Sequence, residues 1–120
     1  MGRSLPAARQ KAFDDLYNGA MKKDARQVRS ALTDDFTFRG PMMAFDGPEA
    51  FVQSLLAFDA DVTQSRLIVD GERVAHLFVL DIAAPFRAKV PMCDVLEFRG
   101  DRISAIELYT DSKAFEPAGA

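Results

Sequence analysis

Two helices, a strand, a third helix and then a run of strands predict an α+β fold, a cone-shaped curved antiparallel sheet wrapped around helices. Three observations carry this. Apolar residues recur at helical spacing near the N-terminus, and from Thr63 onward the period drops to two. Asp70-Gly71 and Gly100-Asp101 then supply tight turns between the later segments. Helices set apart from an antiparallel run cover one face of its sheet. At 120 residues the chain is expected to be one domain, 1–120, large enough for its own core.

Each element has a local reason. Ser4 stands where an N-cap would, and Pro6 suits a first turn. Leu5, Ala8, Ala12, Leu16 and Ala20 then recur at helical spacing to about Met21, with Phe13 and Tyr17 beside them. Asp24 caps a shorter helix whose buried stripe is Val28, Ala31 and Leu32. TDDFTFRG turns on Asp34 and Asp35, then alternates through Phe36 and Phe38 as a short strand. GPMMAFDGPEA reads as a loop whose Asp46 caps a third helix, burying Phe51, Leu55 and Phe58. TQSRLIVD, ERVAHLFVLDIAA, FRAKVPMCDVLEF and RISAIELYTD follow as β-branched and aromatic strands. The ending EPAGA is expected to fray.

Composition narrows the function classes. A net charge of −3 without a basic stripe argues against a nucleic-acid partner. No apolar run reaches the length of a signal peptide or a membrane span, so no membrane partner is expected. A single cysteine, Cys93, excludes an internal disulfide and a multi-thiolate metal site. A cytoplasmic protein needing no metal and no cofactor is the expectation.

A bent sheet closed by helices leaves an apolar cavity, the usual form of a small-molecule site. Phe13, Leu16, Tyr17, Phe38 and Met42 are candidates to line it, as are Phe45, Phe51, Leu55, Phe78 and Met92. Phe36, Met43 and Phe58 belong to the same set. Taken singly, each of these side chains could equally be core filler. One residue changes the weighting. In VPMCDVLEF, Val90, Met92, Leu96 and Phe98 share a strand face with Asp94. A carboxylate in an apolar row is costly to bury, and isolated burial drives it toward its neutral form. His76, the only histidine, shares parity with Val74, Phe78 and Leu80. It could face the same cavity and pair with Asp94 as an acid–base unit, or else be a packed or interface histidine. Arg39 and Arg87 could reach a ligand at the cone's mouth but read more simply as exposed charges. Asp59 and Asp61 read as a solvated turn, Tyr109 as a rim residue, and Cys93 as facing the sheet's outer side.

KKDARQVRSALTDDFTFRGP, FDGPEAFVQSL, VDGERVAHLFVLD and CDVLEFRGDRISAIELYTDSKAF, in that order, resemble the nuclear transport factor 2-like superfamily. Its members include ketosteroid isomerases, SnoaL-like polyketide cyclases and limonene epoxide hydrolases. The resemblance spans nearly the whole chain. It implies a cystatin-like α+β barrel, a homodimer through the sheet's outer face and a small apolar molecule in the cone. Asp94 matches the ketosteroid isomerases' protonated oxyanion donor. Their general-base Asp falls at Gly40, and their first-helix Tyr at Leu16, which leaves Tyr17 about 100° round the helix. The epoxide hydrolases' water-activating Arg and two Asp fall at Phe78, Leu80 and Leu108, so neither catalytic set is retained whole. The resemblance therefore implies a SnoaL-like small-molecule-binding protein with Asp94 as acid or base. Isomerisation, cyclisation or dehydration would suit such a site. The alternative is a noncatalytic ligand-binding or dimeric assembly module.

Overall fold

The computed structural model describes residues 4–111 and Lys113, and EPAGA lies outside them. Two helices, α1 (Ala7–Lys22) and α2 (Ala25–Ser30), lead into β1 (Leu32–Arg39) and the short β2 (Ala44–Asp46). Helix α3 (Pro48–Leu56) precedes four long strands, β3 (Asp59–Asp70), β4 (Arg73–Ala84), β5 (Ala88–Arg99) and β6 (Arg102–Thr110). One six-stranded sheet results, in the order β2-β1-β6-β5-β4-β3. The fold is the expected α+β cone, with two corrections to the sheet. β1 runs parallel to β6, so the sheet is mixed rather than purely antiparallel. The strand order also ends at β2 and β3, so the barrel is open. Local periodicity cannot report either fact, because both depend on which distant strand β1 meets.

The concave face carries the core. β4 turns Val74, His76 and Phe78 inward, while β5 turns Val90, Asp94, Leu96 and Phe98 inward. Helix α1 lays Ala12, Phe13, Leu16 and Tyr17 against them. Full burial of each large apolar side chain is worth roughly 1.5–3 kcal/mol, so this layer anchors α1 to the sheet.

Between α1 and α2 the chain reverses in a Schellman-type cap. Lys23 is left-handed at φ 59°, and the Asp24 N–H donates to the Gly19 carbonyl at 2.8 Å. A Cβ on Gly19 would sit 2.9 Å from Val28 Cγ2, so only glycine lets the two helices approach this closely. Asp24 then accepts from the Gln27 N–H at 3.1 Å, the expected cap of α2.

Four local expectations are corrected. Helix α1 begins at Ala7, with Pro6 at its cap and no side-chain bond there, so Ser4 caps nothing. Asp34 and Asp35 lie within β1 rather than in a turn, because Arg29 and Arg99 hold their carboxylates on the solvent side. Asp46 lies in β2 and accepts from Arg39 at 2.6 Å, while Gly47 occupies the N-cap of α3. β3 starts ahead of Thr63, at Asp59, which pairs with Lys23 instead of sitting in a solvated turn.

Candidate functional site

A cavity of about 280 Å³ lies among α1, α3 and the concave face of the sheet. Leu16, Phe38, Phe51, Leu55, Phe78 and Met92 line it. Met21, Met42 and Met43 complete its solvent-exposed side. Methionine side chains are flexible and polarizable, so that side can adapt to the shape of an occupant. Among the described residues, the polar side chains on the wall are those of Tyr17, Ser54 and Asp94.

Tyr17 and Asp94 form the site's chemical centre. Asp94 points inward because its strand parity matches Leu96 and Phe98, and Tyr17 reaches it from the buried face of α1. The Tyr17 hydroxyl donates to Asp94 Oδ2 at 2.7 Å. Burial raises the Asp94 carboxyl to about 6, and the bond from Tyr17 moderates the rise. Burial also pushes the Tyr17 phenol well above its usual range, reinforced by the negative charge it would face on Asp94. Tyr17 is therefore a fixed proton donor near neutrality, whereas Asp94 can exchange a proton there.

His76 faces inward and is the register partner of Asp94 on β4. The expected Asp94–His76 pairing does not form. The imidazole is fully buried outside the cavity wall, stacked on Phe78 at 4.4 Å and edge-on to Phe13 and Tyr17. Its Nε2 lies 2.5 Å from Ser65 Oγ, and its Nδ1 has no partner. Burial lowers its pKa to about 4, so the ring is neutral at physiological pH. The contact with Ser65 depends on a bulge in β3 between Thr63 and Arg66, where Gln64 is left-handed at φ 53°.

Of the expected lining residues, Phe13, Phe36 and Phe45 also stand outside the wall. Phe36 and Phe45 pack against the Phe51 ring, and Phe13 fills the space beside His76 and Tyr17. Aromatic type alone does not separate wall from filler. Phe86, missed in the sequence, joins the wall from the β4–β5 turn and meets the Phe58 ring at 6.4 Å. Arg39 and Arg87 are exposed and line no part of the cavity. Tyr109 is exposed on the sheet's outer side, with its hydroxyl donating to Glu107. Among the described residues no group of three His, Cys, Asp or Glu could hold a metal ion, and no helix is long and apolar enough to cross a membrane.

Phe78, Leu80 and Leu108 all line the cavity as hydrocarbon, and Gly40 adds no carboxylate beside them. Tyr17 faces Asp94 at the place where Leu16 was expected to align.

Residues 13–106 match the SnoaL-like domain model, and the chain belongs to that family. Solved structures share its fold. An NTF2-like protein from Cytophaga hutchinsonii superposes with a TM-score of 0.78 at 13% identity, covering 94% of this chain and 96% of that one. An LEH-like epoxide hydrolase from M. tuberculosis gives 0.69 at 22% identity, covering 89% and 85%. TerC, co-crystallised with polyporic acid, gives 0.77 at 15% identity, covering 91% and 95%. At these identities the likeness is one of fold. No curated protein matches the sequence significantly.

Proposed function

We propose that this chain binds a small apolar molecule in the cone and that Asp94 exchanges a proton with it. The reaction would be an isomerisation, cyclisation or dehydration needing no cofactor. The observation that carries this is the buried Tyr17–Asp94 pair on an otherwise apolar wall. A carboxyl held near 6 by burial is poised to give or take a proton close to neutrality. TerC, crystallised with a small molecule on the same fold, supports a ligand in the cone by analogy.

A thermal-shift screen of apolar ketones, phenols, epoxides and hydroxy acids tests this on wild type and Asp94→Asn. A ligand at about a hundred times its dissociation constant adds on the order of 2.7 kcal/mol, several degrees for a domain of this size. A hit weakened in the Asn variant supports the proposal and makes a turnover assay informative. Silence across the whole library would remove it.

A second reading, assembly as a homodimer, rests on the outer sheet face. Ile68, Ala75 and Val95 form one cross-strand row there, continued by Glu107, and Leu77, Cys93 and Tyr109 form the next, begun by Arg66. Ile68 and Tyr109 are 61% and 58% exposed, which leaves large apolar surface for a second copy to cover. A cytoplasmic location belongs to the same proposal and fits a single unpaired cysteine.

A further inference from the structure

Among the described residues, the side chains of the cavity wall have no free hydrogen to donate. Its polar side chains are Tyr17, Ser54 and Asp94, with no lysine, arginine, histidine, asparagine or glutamine among them. Ser54 spends its hydroxyl hydrogen on the Phe51 carbonyl at 2.7 Å, within α3. Tyr17 spends its hydrogen on Asp94 Oδ2. An ionised Asp94 has none, and only one of its oxygens accepts from a side chain among the described residues. Each remaining side-chain site on the described wall is a lone pair.

We infer that the ligand meets Asp94 with a hydroxyl hydrogen, as an apolar alcohol or phenol, and not with a ketone oxygen. This rests on the proposed function in taking the cavity as the ligand site, and it adds the substrate class. A ketone would leave its carbonyl among acceptors and lose the hydrogen bonds it made in water. A carboxylic acid would bring a second negative charge against Asp94 with no cation on the wall to offset it. A hydroxyl instead completes a chain in which Asp94 accepts from Tyr17 on one oxygen and from the ligand on the other.

Protonation of Asp94 supplies the missing hydrogen, so the preference depends on pH. The titratable groups facing Asp94 are Tyr17 from α1 and the neutral His76 from β4, while β6 presents Leu108. Neither Tyr17 nor His76 titrates near 6, which leaves Asp94 to set the crossover.

Calorimetric titration with 1-tetralol and its ketone, 1-tetralone, tests this on wild type at pH 7.5 and pH 5.0. A hydrogen bond to a charged acceptor is worth at least about tenfold in affinity. The alcohol should bind tighter by that factor at pH 7.5, and the advantage should shrink toward parity at pH 5.0. Asp94→Asn, which carries a donor at every pH, should bind the ketone at least as well as the alcohol at both. A ketone that matches the alcohol on wild type at pH 7.5 overturns the inference. If that ketone binding also changes in Asp94→Asn, the cavity still stands as a ligand site. No binding of either compound to wild type, or binding indifferent to Asp94→Asn, overturns the inference, while the ligand site itself falls only with silence across the broader thermal-shift screen.

Discussion

Asp94 and His76 face each other across two strands and oppose each other in their effect on stability. Asp94 rises from 3.8 to about 6 on folding, so the folded state holds its proton more tightly than the unfolded one. Its contribution is fully present below about pH 4 and is lost as pH rises through about 6, a change of about 3 kcal/mol at 1.36 kcal/mol per unit. His76 falls from 6.5 to about 4, so its contribution is present above about pH 6.5 and is lost as pH falls toward 4. Asp94→Asn removes the first effect. Urea unfolding should show the variant more stable than wild type by up to about 3 kcal/mol at pH 7.5, and level with it at pH 4. Equal stability at both values would mean that burial does not disfavour the Asp94 charge. Tyr17→Phe acts in the other direction, because it deletes the bond that holds Asp94 down. Carboxyl NMR titration should then place Asp94 above about 6, and an unmoved value would deny the Tyr17–Asp94 bond in solution. Asp94 was legible in the sequence because an acid interrupts an alternating apolar row. Its partner was not, because matching Leu16 to the family position set Tyr17 about 100° away on the helix. Only the roll of α1 on the sheet decides which of two adjacent residues reaches β5.

At the level of elements, the β3 bulge between Thr63 and Arg66 sets Ser65 against His76. Ser65→Ala leaves the bulge residues in place and strips Nε2 of its partner, so both nitrogens of a fully buried ring lack hydrogen bonds. That should cost about 1–3 kcal/mol in urea or thermal unfolding, and a neutral result would mean that water supplies the bond instead. Gly19→Ala tests the α1–α2 turn. Its Cβ would press on Val28 Cγ2 and on the Val28 backbone nitrogen at 3.0 Å, and backbone cannot swing aside. A loss of about 1–3 kcal/mol is expected in the same measurement. The elements themselves were readable, since α1 and the four long strands repeat their apolar residues at 3.6 and 2.0. Their edges were less so. Asp59-Ala60-Asp61-Val62 alternates as a strand does, but its two acids are equally typical of a solvated turn, and the Lys23 that pairs with Asp59 is distant in sequence. β2 escaped notice because its three residues are too few to show a period.

The whole molecule sets two apolar surfaces on opposite sides of one sheet, and the pleat makes this unavoidable. Inward residues of β5 such as Met92 and Asp94 build the cavity, while the intervening Cys93 and Val95 build the outer face. A strand that is apolar on both faces needs cover on both. The helices cover the inner one. The outer rows, Ile68-Ala75-Val95 and Leu77-Cys93-Tyr109, have no covering layer among the described residues. A second copy seated there would bury these rows against their own equivalents, as a two-fold interface requires. Sedimentation analysis of wild type should accordingly show a dimer, and Leu77→Asp with Val95→Asp should convert it to a monomer. Both sites lie away from the cavity, so the separated chain should keep whatever small molecule the cavity binds. A wild type that stays monomeric at high concentration would remove the assembly reading without touching the Tyr17–Asp94 site. A dimer that survives both substitutions would move the interface elsewhere. Ligand affinity lost together with the dimer would show that closing the outer face shapes the inner one, because the same strands carry both.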